Sequence, residues 1–120
     1  MNYKSFIKEL LETNESDYIF ANVFIGDVKF TYCPEESIDV IKRKSLDILT
    51  VMLKENVVDI YIIRESEKTK VKYQSIDDIK IIIESINEKW NQIGEQQVLP
   101  NELFWLKAKK CEKGDHLSIL

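Results

Sequence analysis

Between Ser75 and Ile93 the apolar residues Ile76, Ile79, Ile82, Ile83, Ile86, Trp90 and Ile93 recur every three or four positions. That spacing puts them on one face of an amphipathic helix. Both of its ends are marked. Ser75 followed by Asp78 has the spacing of a capping box in its aspartate form, and Asp77 and Asp78 complement the positive end of a helix. Gly94, just past the last periodic residue, can adopt the left-handed backbone that closes one. Burying each such side chain is worth about 1.5 to 3 kcal/mol, so this stripe requires a partner surface, which the other segments must supply.

Upstream, Tyr3, Phe6, Ile7, Leu10 and Leu11 predict a helix from Asn2 to Thr13. Ser16 can cap whatever follows. Residues 17 to 32 fit two patterns. Their aromatic and β-branched content, with a turn at Gly26-Asp27, suits a hairpin of Tyr18 to Ile25 and Val28 to Tyr32. Ile19, Phe20, Val23, Phe24 and Asp27-Val28 also fit a helical face opened by Ser16-Asp17, with Gly26 tolerated at about 1 kcal/mol. Pro34 suits the first turn of a helix running to about Glu55, with Glu35 and Glu36 at its acidic end. Its inward face is Ile38, Ile41, Ser45, Leu46, Ile48, Leu49, Met52 and Leu53. Val57 to Ile63 is nearly continuous and β-branched, the mark of a buried strand. Glu65 to Lys70 reads as a polar turn, with Val71 to Tyr73 returning as a short antiparallel strand. Leu103 to Leu106 opens another strand after Pro100. Lys113-Gly114-Asp115 reads as a turn, and His116 to Leu120 as a last short strand. Together the segments predict an α+β fold for residues 1 to 120 as one domain, with three or four helices packed on a small antiparallel sheet.

Composition narrows the class. At 120 residues, with 44% hydrophobic and 32% charged positions, the chain can bury a core without metal or disulfides. No apolar run approaches the roughly 18 residues of a membrane span, and Lys4, Glu9 and Glu12 interrupt any signal-peptide pattern. These features imply a cytoplasmic protein in which Cys33 and Cys111 are free thiols. A net charge of −4 argues against a general nucleic-acid binder and suits a basic partner.

Candidate chemistry is sparse. His116 is the one histidine, and no nucleophile elbow, phosphate loop or HExxH accompanies it. Cys33, Cys111 and His116 lack the paired spacing of a zinc site. No cofactor is implied. Asp77-Asp78 and Glu35-Glu36 fall where helix N-termini favour acid in any case. Lys42, Arg43 and Lys44 form a short basic turn that can meet phosphates if their helix enters a DNA groove, although Glu35, Glu36, Asp39 and Asp47 surround it as on an ordinary solvated face. Trp90 and Trp105 both sit in apolar runs and are expected in the core, while Tyr61, Tyr73 and Trp105 can share an exposed rim.

Leu46-Asp-Ile-Leu49-Thr-Val-Met-Leu53 with Val57-Val58, Ser75 to Ile79 leading to Trp90-Asn-Gln-Ile93-Gly94, then Asn101-Glu-Leu-Phe-Trp105-Leu106 and Lys113-Gly114-Asp115 form a series that resembles small bacterial winged-helix-like proteins of unassigned activity. The resemblance implies a helix over Asp17 to Lys29. Some similar short acidic chains are encoded beside polymorphic or contact-dependent toxins and act as their immunity proteins. What this implies is a non-enzymatic protein that occludes a cognate toxin, expected to be a basic nuclease. The expected partner-binding groups are Glu65, Glu67, Asp77, Asp78, Glu84 and Glu88, on the long helix and the turn before it. A winged-helix transcription regulator using Lys42, Arg43 and Lys44 is the other expectation.

Overall fold

The computed structural model describes residues 3–65, 67–94, 98–100 and 102–109. In chain order the elements are α1 (Lys4–Thr13), β1 (Tyr18–Phe20), α2 (Ala21–Tyr32), α3 (Ile38–Lys54), β2 (Val58–Arg64), β3 (Glu67–Val71), α4 (Ile76–Ile93) and β4 (Phe104–Ala108). The strands form one antiparallel sheet in the order β1-β4-β2-β3. The class is α+β, as the patterning implies.

The core lies between the helices and one face of the sheet. Ile19, Val58, Ile60, Ile62, Phe104, Leu106 and Ala108 alternate inward and join Ile7 and Leu11 of α1, Phe24 and Val28 of α2, Ile48, Leu49 and Met52 of α3, and Ile82, Ile86 and Trp90 of α4 in one buried cluster. α4 matches its sequence signature closely. Ser75 Oγ accepts from Asp78 N at 3.2 Å, Asp78 Oδ2 accepts from Ser75 N at 3.2 Å and Gln74 N at 2.9 Å, and Gly94 closes the helix at φ 75°. Those backbone hydrogen bonds from Gln74 and Ser75 hold the Asp78 carboxyl below the usual aspartate range.

Four sequence expectations need correction. Residues 17 to 32 are neither a hairpin nor one helix: Tyr18–Phe20 is a strand on β4, and the helix begins at Ala21 after Phe20, whose backbone is extended. Ser16 therefore precedes a strand, because Ile19 finds its place opposite Leu106 in the sheet. α3 begins at Ile38, not Pro34. Pro34 follows Cys33, the C-cap of α2, where a residue that cannot continue a helix stops one, and the Ser37 carbonyl accepts the first bonds of α3 from Val40 N and Ile41 N. The return strand also starts sooner. Glu67 pairs with Arg64, so the span read as a polar turn is mostly β3, and the tight hairpin is opened by Glu65 at φ 50°. Finally, Trp90 is in the core at 1% exposure, but Trp105 is on the far face of the sheet, half-buried and outside the core cluster. The expected turn at Lys113-Gly114-Asp115 and the strand at His116 to Leu120 lie outside the described residues, as do Cys111 and His116.

Candidate binding surfaces

Helical periodicity builds the first surface. With Ile79, Ile82, Ile86 and Trp90 of α4 turned inward, though not Ile76, which the sequence pattern places on the same stripe, Asp77, Ile81, Glu84 and Glu88 follow one another at intervals of three or four along its outer side, and all four are exposed. Ile81 is 65% exposed and Ile76, at the helix start, 60%. A shallow groove of about 400 Å³ runs between α3 and α4, with Leu46 and Ile83 in its lining and Asp39, Asp47, Glu84, Lys42 and Arg43 around them. A second groove of about 400 Å³, lined in part by Ile76, Ile79, Asp77 and Lys80, shares Ile83 and Glu84 with it. The result is an apolar trough whose rim mixes carboxylates, Asp39, Asp47, Asp77 and Glu84, with the cations Lys42, Arg43, Lys54 and Lys80.

The six expected partner-binding residues do not form one patch. Asp77, Glu84 and Glu88 share the outer side of α4. Asp78 is committed to the helix cap. Glu65 and Glu67 are exposed on the β2-β3 hairpin, a different element. The Lys89 ammonium ties that end of β2 to α4 by donating to Ile63 O at 2.7 Å, and burial, with Arg64 nearby, lowers its pKa.

The basic turn is also divided, because successive helical positions point about 100° apart. Lys42 donates to Asn91 Oδ1 and lies 6.0 Å from the Trp90 ring centroid. Lys44 turns the other way, 5.7 Å from the Tyr3 ring and 6.0 Å from Tyr32. Arg43 is exposed. These three side chains do not converge on one phosphate-sized spot.

Strand alternation builds the second surface, which sequence reasoning saw only in part. On the sheet face away from the helices, Phe20, Trp105, Tyr61 and Lys70 are directly opposite one another in turn, one from each strand; Tyr18, Lys107 and Asp59 form the next row. Rings touch along this face: Phe20 to Trp105 at 4.8 Å, Tyr18 to Trp105 at 5.2 Å and Tyr18 to Tyr61 at 5.4 Å between centroids. Lys68 reaches over them from β3. Its ammonium is 3.9 Å from the Tyr18 ring centroid, 5.2 Å from Trp105 and 5.5 Å from Tyr61, and it donates to the Tyr18 hydroxyl at 2.7 Å. That bond lowers the Tyr18 pKa, whereas burial raises that of Tyr61. Lys107 is 5.0 Å from the Tyr18 ring. Asp59 lies 3.6 Å from Lys70 Nζ and 4.0 Å from Lys109 Nζ. The Trp105 indole donates to Pro100 O at 2.8 Å, which fixes its tilt.

No protein-family model, curated protein or solved structure matches this chain.

Tyr73 does not share the rim expected of it with Tyr61 and Trp105. It packs against the core, and its hydroxyl donates to Val58 O at 2.5 Å. The missed members, Tyr18, Phe20, Lys68 and Lys107, carried a period-two signal: Tyr18-x-Phe20, Trp105-x-Lys107 and Lys68-x-Lys70 each place alternate residues on one face. Among the described residues no cluster of three histidine, cysteine, aspartate or glutamate side chains is placed to hold a metal ion. Cys33 is buried, its thiol 3.8 Å from Val28 O.

Proposed function

We propose that this chain is a non-enzymatic binding protein that neutralises a cognate protein toxin, a basic nuclease, by covering its surface with the α3-α4 side. The observation that carries the reading is an isoleucine, Ile81, left 65% exposed between Asp77, Glu84 and Glu88 and beside a trough floored by Leu46 and Ile83. An apolar anchor flanked along its helix by carboxylates suits a cationic partner: the carboxylates steer the encounter, and the desolvated centre holds the complex. The resemblance drawn from the sequence supplies the toxin. This reading places the chain in the cytoplasm; no helix among the described residues is long and apolar enough to cross a membrane.

A toxin domain is expected in the reading frame adjacent to this gene, and binding to that domain tests the proposal. Reversing Asp77, Glu84 and Glu88 to lysine should slow association by about tenfold or more at low salt, with the difference narrowing as salt is added. Ile81→Ala should act on dissociation instead. Unchanged association for the triple reversal, with the fold intact by circular dichroism, would refute the electrostatic reading.

A further inference from the structure

We propose that the open sheet face is a second, separate site that binds single-stranded nucleic acid. Three observations converge there.

The first is a row of rings. Phe20, Trp105 and Tyr61 stand on three neighbouring strands, opposite one another in the ladder, with Tyr18 beside them. Strands lie about 4.8 Å apart, so the row extends about 10 Å, which is room for two or three unstacked bases. All four rings are partly exposed and outside the core cluster.

The second is an excess of positive charge. Lys68, Lys70, Lys107 and Lys109 surround the rings, and Asp59 is held between Lys70 and Lys109. The whole chain carries −4, which speaks against nucleic acid as a general partner, but the charge is unevenly distributed and this face is cationic.

The third is that Lys68, an exposed residue of the edge strand β3, lies across the Tyr18, Tyr61 and Trp105 rings. An incoming phosphate can draw that ammonium off the rings and leave their faces to bases.

Planar rings repeating at strand spacing, interleaved with lysines, match a polymer that alternates flat aromatic units with phosphates. A second copy of this chain would set lysines against lysines. A duplex keeps its bases stacked internally, so the rings would contribute little to it.

A labelled oligothymidylate of about 12 nucleotides, followed by anisotropy at about 50 mM salt, tests the assignment. Wild-type protein should bind saturably and quench Trp105 emission, with a log-log salt slope near about −2 for three lysine contacts. Trp105→Leu should weaken binding by about tenfold. Lys68→Gln with Lys107→Gln should flatten the slope, whereas Asp77→Lys with Glu84→Lys, on α4, should not weaken binding. Because the lysine pair is on the surface, it keeps the test decisive should Trp105→Leu unfold the protein. Failure to bind at low salt overturns the proposal. So does displacement by polyglutamate at equal charge, which would mark an acidic-protein dock, or by duplex DNA as readily as by the single strand. None of these results bears on toxin capture by α4, which stands or falls on its own binding assay.

Discussion

Two side chains, Tyr73 and Asp78, tie the stability of the fold to pH through hydrogen bonds to the backbone. Tyr73 is pushed up to about 12, by burial and then by the Asp59 carboxylate, while its hydroxyl serves the Val58 carbonyl. A phenol whose folded pKa exceeds its unfolded value of about 10 stabilises the fold fully below pH 10 and loses that contribution as pH climbs toward its folded value. Tyr73→Phe should therefore cost about 1 kcal/mol near neutral pH, with the gap from wild type closing above pH of about 10 in urea titrations. Asp78 has the opposite sign. Its folded pKa is depressed, so its contribution is present above about pH 3.9 and is lost as pH falls through the lower folded value. Asp78→Asn should lower the urea midpoint at pH 7 and converge on wild type in acid, while Ser75→Ala should cost about 1 kcal/mol at both pH values. The cap was legible because its partners are three residues apart. The two tryptophans were not separable in the sequence: Leu103, Phe104, Trp105 and Leu106 are all apolar, which hides the alternation that turns Trp105 outward and its neighbours in.

At the scale of elements, periodicity was readable wherever a helix or strand decides its own boundaries, and failed where a distant partner decides them. α1, α3 and α4 show their buried faces in sequence, and the centre of α3 follows its stripe through Ile41, Ser45, Ile48, Leu49 and Met52. β1 does not. Three residues cannot announce a strand; Tyr18, Ile19 and Phe20 become one because Lys107, Leu106 and Trp105, nearly ninety positions later, offer an edge. The same pairing explains why the aromatic and β-branched signal and the helical signal overlapped in this stretch, since each is correct for part of it. Gly26 sits within α2 with nothing within 4 Å of where a Cβ would be. Gly26→Ala should accordingly raise stability by about 0.5 to 1 kcal/mol, read as a higher midpoint with an unchanged denaturant slope; a loss would mean that the helix needs the glycine for a contact the monomer does not show.

Across the whole molecule two faces differ in charge. Asp77, Glu84 and Glu88 share the outer side of α4, the α3-α4 groove mixes both signs, and lysines outnumber the one carboxylate, Asp59, on the open sheet face, with the core between the two sides. Neither face is visible as a patch in the linear sequence. The acidic candidates Glu65 and Glu67 belong to the hairpin, not to the α4 stripe, and the lysines of the sheet face come from β3, β4 and the residue after β4. What sequence patterning did provide was the outer stripe of α4, because it is the complement of the isoleucine stripe. If that stripe takes a cationic toxin, the contact should be readable in the isoleucine side chains themselves. Isoleucine δ1-methyl spectra of the labelled chain, recorded as the toxin domain is added, measure this most directly. The expected result is shift or broadening at Ile76, Ile81 and Ile83, with Ile19 and Ile60 unchanged beneath the sheet. Perturbation confined to methyls under the sheet, or no perturbation at saturating toxin, would contradict capture by the α3-α4 side.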